Sequence, residues 1–122
     1  MKIIEMRLKK GIVKVVPENL DDLWHLYNII YKNDDVYAQT TREVQIEEEY
    51  ARPKKGRRVS VFMGIRVENV SWDRSLNRLR VHGVVFDVPE EVSSRGSYHT
   101  INVMVNKPLT IVKAKWQKHQ ID

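Results

Sequence analysis

The stretch Val59-Ser60-Val61-Phe62-Met63-Gly64-Ile65-Arg66-Val67-Glu68 carries the clearest pattern in the chain, because apolar and other residues alternate along all of it. Successive side chains of a β-strand point to opposite faces, so a period of two predicts a long strand with one buried face. Gly64 lies on the other face, and glycine inside a strand is unfavourable unless the sheet bends sharply. The stretch therefore predicts a strand in a curved sheet.

The residues after this strand predict three more. Residues 73–77 have turn chemistry, and residues 78–86 alternate again, with a second internal glycine on the apolar face formed by Leu79, Val81, Gly83 and Val85. Residues 88–97 read as a loop. Residues 98–105 and 109–114 predict two further strands, joined by a turn at Asn106-Lys107-Pro108.

The residues before it predict three strands and one helix. Residues 1–8 and 11–16 form a predicted hairpin around a turn where Gly11 supplies a positive φ. Asn19 suits a helix N-cap, and the apolar residues that follow predict one buried face that includes Trp24. Its members are Leu20, Leu23, Trp24, Tyr27 and Ile30. Residues 36–41 predict the third strand.

About seven short strands and one early helix predict a mainly β fold, a small and strongly bent barrel. SH3-like, OB and Sm-like barrels all fit this pattern, and periodicity does not rank them. The 122 residues suffice for one domain, residues 1–122, with its own core.

Composition narrows the functional classes. The chain has no cysteine, which excludes disulfide frameworks, zinc-thiolate sites and cysteine nucleophiles. It also lacks a signal-like N-terminus and any run near the ~20 apolar residues of a membrane span, so we expect a soluble, cytoplasmic protein. A formal net charge of +5 favours a polyanionic partner such as RNA.

Residues 37–58 are the candidate binding segment, because they start like a strand and then lose apolar periodicity before the strand at residue 59 begins. Hydroxyl and amide groups of Thr40, Thr41 and Gln45 can meet base edges or riboses. A basic cluster that can follow phosphates ends the segment; its members are Arg52, Lys54, Lys55, Arg57 and Arg58. The alternative is a solvated hairpin tip whose basic residues are neutralised by adjacent glutamates.

An enzyme is the second functional class. Glu47, Glu48 and Glu49 could hold Mg²⁺ for an endoribonuclease, since hard cations bind carboxylate oxygens. A contiguous acidic run rarely supplies the rigid geometry that catalysis needs, so we predict no catalytic residue, metal or cofactor. The four histidines do not share metal-ligand spacing. A third possibility is a barrel that binds another protein.

Four stretches, spread in order along the chain, resemble the N-terminal domain of the Pelota family, archaeal-like ribosome-rescue factors related to class-I translation release factors. They are residues 17–28, Thr40-Thr41-Arg42-Glu43-Val44-Gln45, Leu79-Arg80-Val81-His82-Gly83, and Gly96-Ser97-Tyr98-His99-Thr100-Ile101. The resemblance implies an Sm-like barrel. It also implies that this chain is the first of three domains.

The resemblance further implies recognition of stalled ribosomes in mRNA surveillance, or no-go decay. The loop after the third strand would enter the decoding site of the small subunit, near mRNA and rRNA. The implied contact residues are Thr40, Thr41, Arg42, Val44 and Gln45. The implied partners of the full-length protein are a translational GTPase of the elongation-factor class and an ABC-type recycling ATPase. Glu43 departs from the family, whose motif usually has a basic residue there, so no phosphate contact is expected at Glu43.

Overall fold

A computed structural model of the chain describes residues 1–44, 57–89 and 96–116. It contains one α-helix, α1 (Leu20–Ile29), and a short 3₁₀ helix at Leu8–Lys10 within these residues. The strands are β1 (Lys2–Arg7), β2 (Ile12–Val16), β3 (Asp35–Val44), β4 (Arg57–Asp73), β5 (Arg78–Asp87), β6 (Tyr98–Val103) and β7 (Leu109–Val112). The predicted mainly β fold of about seven strands and one early helix is confirmed.

All seven strands form one antiparallel sheet in the order β1-β2-β7-β3-β4-β5-β6. The sheet curls, as the internal glycines predict. The pairing of β4 with β5 shifts register twice, and a Cβ at Gly83 would lie only 2.0 Å from the carbonyl oxygen of Arg66. Only glycine allows the two backbones to approach this closely.

The alternating residues of β4 and β5 fill the core as predicted. Val61, Met63, Ile65 and Val67 are buried on β4, and Leu79, Val81 and Val85 on β5. In the first hairpin Val13 and Val15 are buried. Gly11 adopts φ +73°, and a Cβ there would lie 1.9 Å from the carbonyl oxygen of Lys113. The predicted positive φ at Gly11 is therefore confirmed.

Helix α1 begins as predicted, but its predicted face is only partly confirmed: Leu23 and Ile30 are buried, whereas Leu20 is 47% exposed. The side chain of its N-cap Asn19 accepts a hydrogen bond from the Asp22 amide at 2.9 Å. The buried helix residues are Leu23, Leu26 and Ile29. The prediction that Trp24 is in the core is wrong, since Trp24 is 55% exposed.

Trp24 instead belongs to an aromatic cluster on the surface. Its ring stacks on Tyr27 at 5.3 Å and meets the edge of Trp72 at 5.9 Å. Trp72 lies on β4, forty-eight positions from Trp24 by their residue numbers, so helical periodicity holds no information about this contact. Apolar residues spaced three and four positions apart in α1 fit two overlapping faces of the helix. Packing against the strands decides which of the two faces is buried.

Buried polar contacts hold the start of β3 in place. Lys113 is only 5% exposed, and its ammonium forms an ion pair with Asp34 and lies 4.1 Å from the centre of the Tyr31 ring. The indole of Trp116 donates a hydrogen bond to the carbonyl of Gly11 at 2.7 Å. These contacts fasten the segment after β7 to the β1–β2 hairpin and to the entry of β3.

Candidate nucleic-acid interface

The candidate segment is a longer β-hairpin than the sequence predicts. Strands β3 and β4 pair continuously from Asp35 opposite Arg66 to Val44 opposite Arg57. The strand predicted over residues 36–41 is confirmed, and the expectation of a loop directly after it is wrong for residues 42–44, which extend β3. β-branched residues at Thr40, Thr41 and Val44 favour an extended backbone, which lets the ladder continue past the last core residue.

The two threonines of the motif face opposite sides of β3. Thr40 is half-buried on the core side, and its hydroxyl lies 3.0 Å from Nε2 of His99 on β6. Thr41 is exposed on the outer side, beside Ser60 on β4. Thr41 is therefore accessible from outside, whereas Thr40 connects β3 to β6.

Part of the predicted interface lies outside the described residues. Gln45, Arg52, Lys54 and Lys55 belong to this part, and so do the alternative metal ligands Glu47, Glu48 and Glu49. For a second group the structure gives only the position of the backbone in the β3–β4 ladder: Arg42, Val44, Arg57 and Arg58. The ladder places these four positions at the far end of the hairpin.

One edge of β3 is only partly covered. Strand β7 pairs with β3 at Asp35, Val36 and Tyr37. From Ala38 onward, the described residues contain no strand paired with this edge, although β4 covers the opposite edge through Val44. The second half of β3 therefore has backbone groups beside a gap in the sheet.

A second aromatic cluster, which the sequence reasoning missed, covers the outer face of the hairpin. Tyr37 stacks on Phe62 at 6.1 Å and meets Phe86 edge-on at 5.6 Å, while the guanidinium of Arg66 lies 5.5 Å from the Phe86 ring centre. Burial, followed by the carboxylates of Asp87 and Asp35, raises the pKa of Tyr37, and Arg66 opposes the rise. The sequence feature that could have revealed this cluster is the presence of aromatic residues at outward-facing positions of adjacent strands.

Two of the histidines, His82 and His99, lie within hydrogen-bond distance of threonine hydroxyls on neighbouring strands. Nδ1 of His82 lies 2.9 Å from the Thr100 hydroxyl, and its ring stacks on Tyr98 at 5.4 Å. His99 contacts Thr40, while His119 lies outside the described residues. Among residues 1–44, 57–89 and 96–116, no group of three or more histidine, aspartate or glutamate residues is placed to bind a metal ion. The same ranges contain no helix long and apolar enough to cross a membrane.

Comparison with known sequences gives one family. The family model of the Pelota N-terminal domain matches residues 1–122. The protein pelota homolog of Methanopyrus kandleri is 45% identical over 123 residues, which cover 100% of this chain and 34% of that protein. The homolog of Methanocaldococcus jannaschii is 43% identical over 122 residues, or 100% of this chain and 35% of that protein. The chain thus spans about a third of these relatives.

Solved structures give the same result. A model of ribosome-bound archaeal Pelota and ABCE1 matches with a TM-score of 0.82 and 39% identity, over 99% of this chain and 34% of that chain. The crystal structure of Archaeoglobus fulgidus Pelota matches with a TM-score of 0.70 and 41% identity, over 99% of this chain and 31% of that chain. Dom34 of S. cerevisiae, a termination-like factor that interacts with Hbs1, is 22% identical with a TM-score of 0.68, which shows a shared fold.

Proposed function

The chain belongs to the Pelota N-terminal domain family, and on this premise we propose that it is the module with which a ribosome-rescue factor recognises stalled ribosomes. The β3–β4 hairpin enters the decoding site of the small subunit and contacts mRNA and rRNA there. Recognition depends on shape and charge, and not on an RNA sequence. In this role the chain works in the cytoplasm and catalyses no reaction.

The observation that carries the proposal is the match to ribosome-bound archaeal Pelota. That match covers 99% of this chain with a TM-score of 0.82. A similarity that extends through nearly every residue supports a shared surface as well as a shared core. The net charge of +5 also suits a partner made largely of phosphate.

The hairpin supports the proposal by its form. A ten-residue ladder, Asp35 to Val44 against Arg66 to Arg57, continues the pairing of two core strands through residues 40–44 of the motif. In this proposal Thr41, Arg42, Val44 and Gln45 contact RNA closely, and Thr40 positions the hairpin through His99. The basic residues Arg52, Lys54, Lys55, Arg57 and Arg58 hold phosphates.

Partners of the full-length factor belong to the same proposal. Among the similar structures, ribosome-bound archaeal Pelota occurs with ABCE1, and Dom34 interacts with Hbs1. We therefore propose that a protein containing this chain acts with an ABC-type ATPase and a translational GTPase. The chain covers about a third of its relatives, so most contacts with these partners fall to the other two thirds.

Binding to archaeal small ribosomal subunits over a range of salt concentrations tests the proposal. The first variant replaces Lys54, Lys55, Arg57 and Arg58 by glutamine. We expect weaker binding and a salt slope that falls by about 0.7 for each phosphate that is no longer neutralised, the value for single strands. The matched control makes the same charge change at four exposed lysines elsewhere: Lys2, Lys9, Lys10 and Lys32.

Equal salt slopes for the two variants would contradict a phosphate-binding role of the basic cluster. If the parent chain binds another protein but does not bind small subunits, a protein-interaction barrel would be favoured. Cleavage of RNA by the purified chain in Mg²⁺, abolished when Glu47, Glu48 and Glu49 become glutamine, would favour the endoribonuclease.

A further inference from the structure

The gap beside the second half of β3 forms an open groove of about 260 Å³. Residues of β3 and β4 line one side of it, and residues of β6 and the β6–β7 turn line the other. We propose that this groove binds one unstacked nucleotide of single-stranded RNA. The inference rests on the proposed function and assigns the groove a part in it.

The lining has the chemistry that a base and a ribose require. Gln39, Thr41, Ser60 and Asn102 are all exposed and line the groove with amide and hydroxyl groups that both donate and accept hydrogen bonds. Such neutral groups read base edges and 2′-hydroxyls of single strands. No carboxylate is among the described residues that line the groove, so a phosphate meets no repulsion from its walls.

The two sides of the groove carry different chemical groups. On the hairpin side, Nε2 of Gln39 donates a hydrogen bond to the Ser60 hydroxyl at 2.8 Å, which fixes both side chains on the outer face. On the other side lie exposed Met104 and the cation of Lys107. Met104 offers apolar surface to the face of a base, and Lys107 complements the charge of a phosphate.

An extended peptide is the other occupant that an open strand edge can receive. A peptide would need a continuous ladder along β3 from Ala38. The groove borders only residues 38–41 of β3, and residues of β6 and the β6–β7 turn line its opposite side, so it offers a peptide only a short length of open edge. A nucleotide needs only a short opening, and the volume is slightly below the ~300 Å³ of the smallest drug-sized pockets.

The experiment uses the 122-residue chain, whose buried residues form one core cluster. Amide chemical shifts are followed during titration with uridine and adenosine monophosphates and with a hexauridylate RNA. We expect the largest changes at Thr41, Ser60, Asn102 and Lys107. Ser60→Tyr, which fills the groove, should weaken binding at least about fivefold, the scale of removing one or two hydrogen bonds.

Ser71→Tyr is the matched control, because Ser71 is also exposed on β4 but does not line the groove. Lys107→Gln should lower the affinity for hexauridylate, whereas Lys32→Gln in an exposed turn should not. Equal affinities of the Ser60 and Ser71 variants would overturn the proposal. So would an extended peptide that shifts the groove amides when no nucleotide does.

Binding to small ribosomal subunits separates this inference from the function on which it rests. If Ser60→Tyr abolishes nucleotide binding and weakens subunit binding, the groove acts in recognition. If the parent chain binds subunits but no nucleotide shifts the groove amides, the groove proposal fails and the hairpin proposal stands. If the chain binds neither, both fail.

Discussion

The two halves of β3 differ in how they are held. The first half, residues 35–37, is paired with β7 on one edge and β4 on the other, next to the buried Lys113–Asp34 ion pair. The second half, residues 38–44, is paired with β4 alone within the described chain. A side-chain contact between Thr40 and His99 joins it to β6.

We interpret this difference as a division along a single strand between a part that stabilises the fold and a part that serves the proposed recognition. The backbone of the first half is paired with a strand on each edge, so its hydrogen-bonding groups serve the fold and are not open to a ligand. The second half leaves backbone and neutral polar side chains at an open edge, where RNA can satisfy them. Substitutions that act differently on the two halves test this interpretation.

Replacement of Lys113 by methionine should have the largest effect. The side chain of Lys113 is 3% exposed, and removal of its ammonium leaves the Asp34 carboxylate, 12% exposed, without its ion-pair partner. Breaking a buried pair in this way typically destabilises by about 3 kcal/mol or more. Urea denaturation followed by far-UV circular dichroism measures the decrease in unfolding free energy.

The double variant with Asp34→Asn and Lys113→Met is the control, because it removes both charges. It should recover part of the stability, since no unpaired charge remains. A single variant within about 0.5 kcal/mol of the parent, the range of ordinary surface substitutions, would contradict the view that this pair holds the first half of β3.

Thr40→Val should have a smaller effect. Valine keeps the β-branched shape but lacks the hydroxyl that lies 3.0 Å from His99, a change worth about 1 kcal/mol of unfolding free energy. Thr110→Val on β7, beside the first half of β3, makes the same change of atoms and should stay within about 0.5 kcal/mol. Denaturation of both variants under one condition gives the comparison. Equal destabilisation would mean that the Thr40–His99 contact does not fasten the second half.

Asp73→Asn, at the end of β4 and away from both halves, should have the smallest effect, and this effect should depend on pH. The Ser75 hydroxyl, at 2.7 Å, lowers the pKa of Asp73 below its ordinary value of 3.8; burial opposes this, while the Leu76 amide and Arg78 add to it. A lowered folded-state pKa means that the ionised carboxylate stabilises the fold above pH 3.8. That contribution disappears as the pH falls through the folded-state value.

Melting temperatures of the parent and the Asp73 variant at several pH values measure this effect. The parent should melt higher near neutral pH, and the difference should shrink below pH 3.8. A difference that grows toward acid pH would mean that the carboxylate is destabilised in the fold. Neither result bears on the two halves of β3. The measurement instead gives the loss of stability at a site away from them, with which the losses in the Lys113 and Thr40 variants are compared.

Local patterns in the sequence determined the strands and the helix start. Alternation along β4 and β5 identified the buried residues, because strand geometry repeats every two residues whatever surrounds it. Asn19 was predicted as the N-cap because its side chain acts on an amide three residues away. The motif that carries the family resemblance, residues 40–45, is also a property of the sequence alone.

Only the tertiary structure decided which local elements meet. The Lys113–Asp34 pair joins residues 79 positions apart, and the Thr40–His99 contact joins residues 59 positions apart. Periodicity could not select the buried face of α1, and it could not show that the hairpin ladder runs through the motif. The physical reason is that periodicity acts between near neighbours in the chain, whereas these contacts depend on how distant strands pack in the folded sheet.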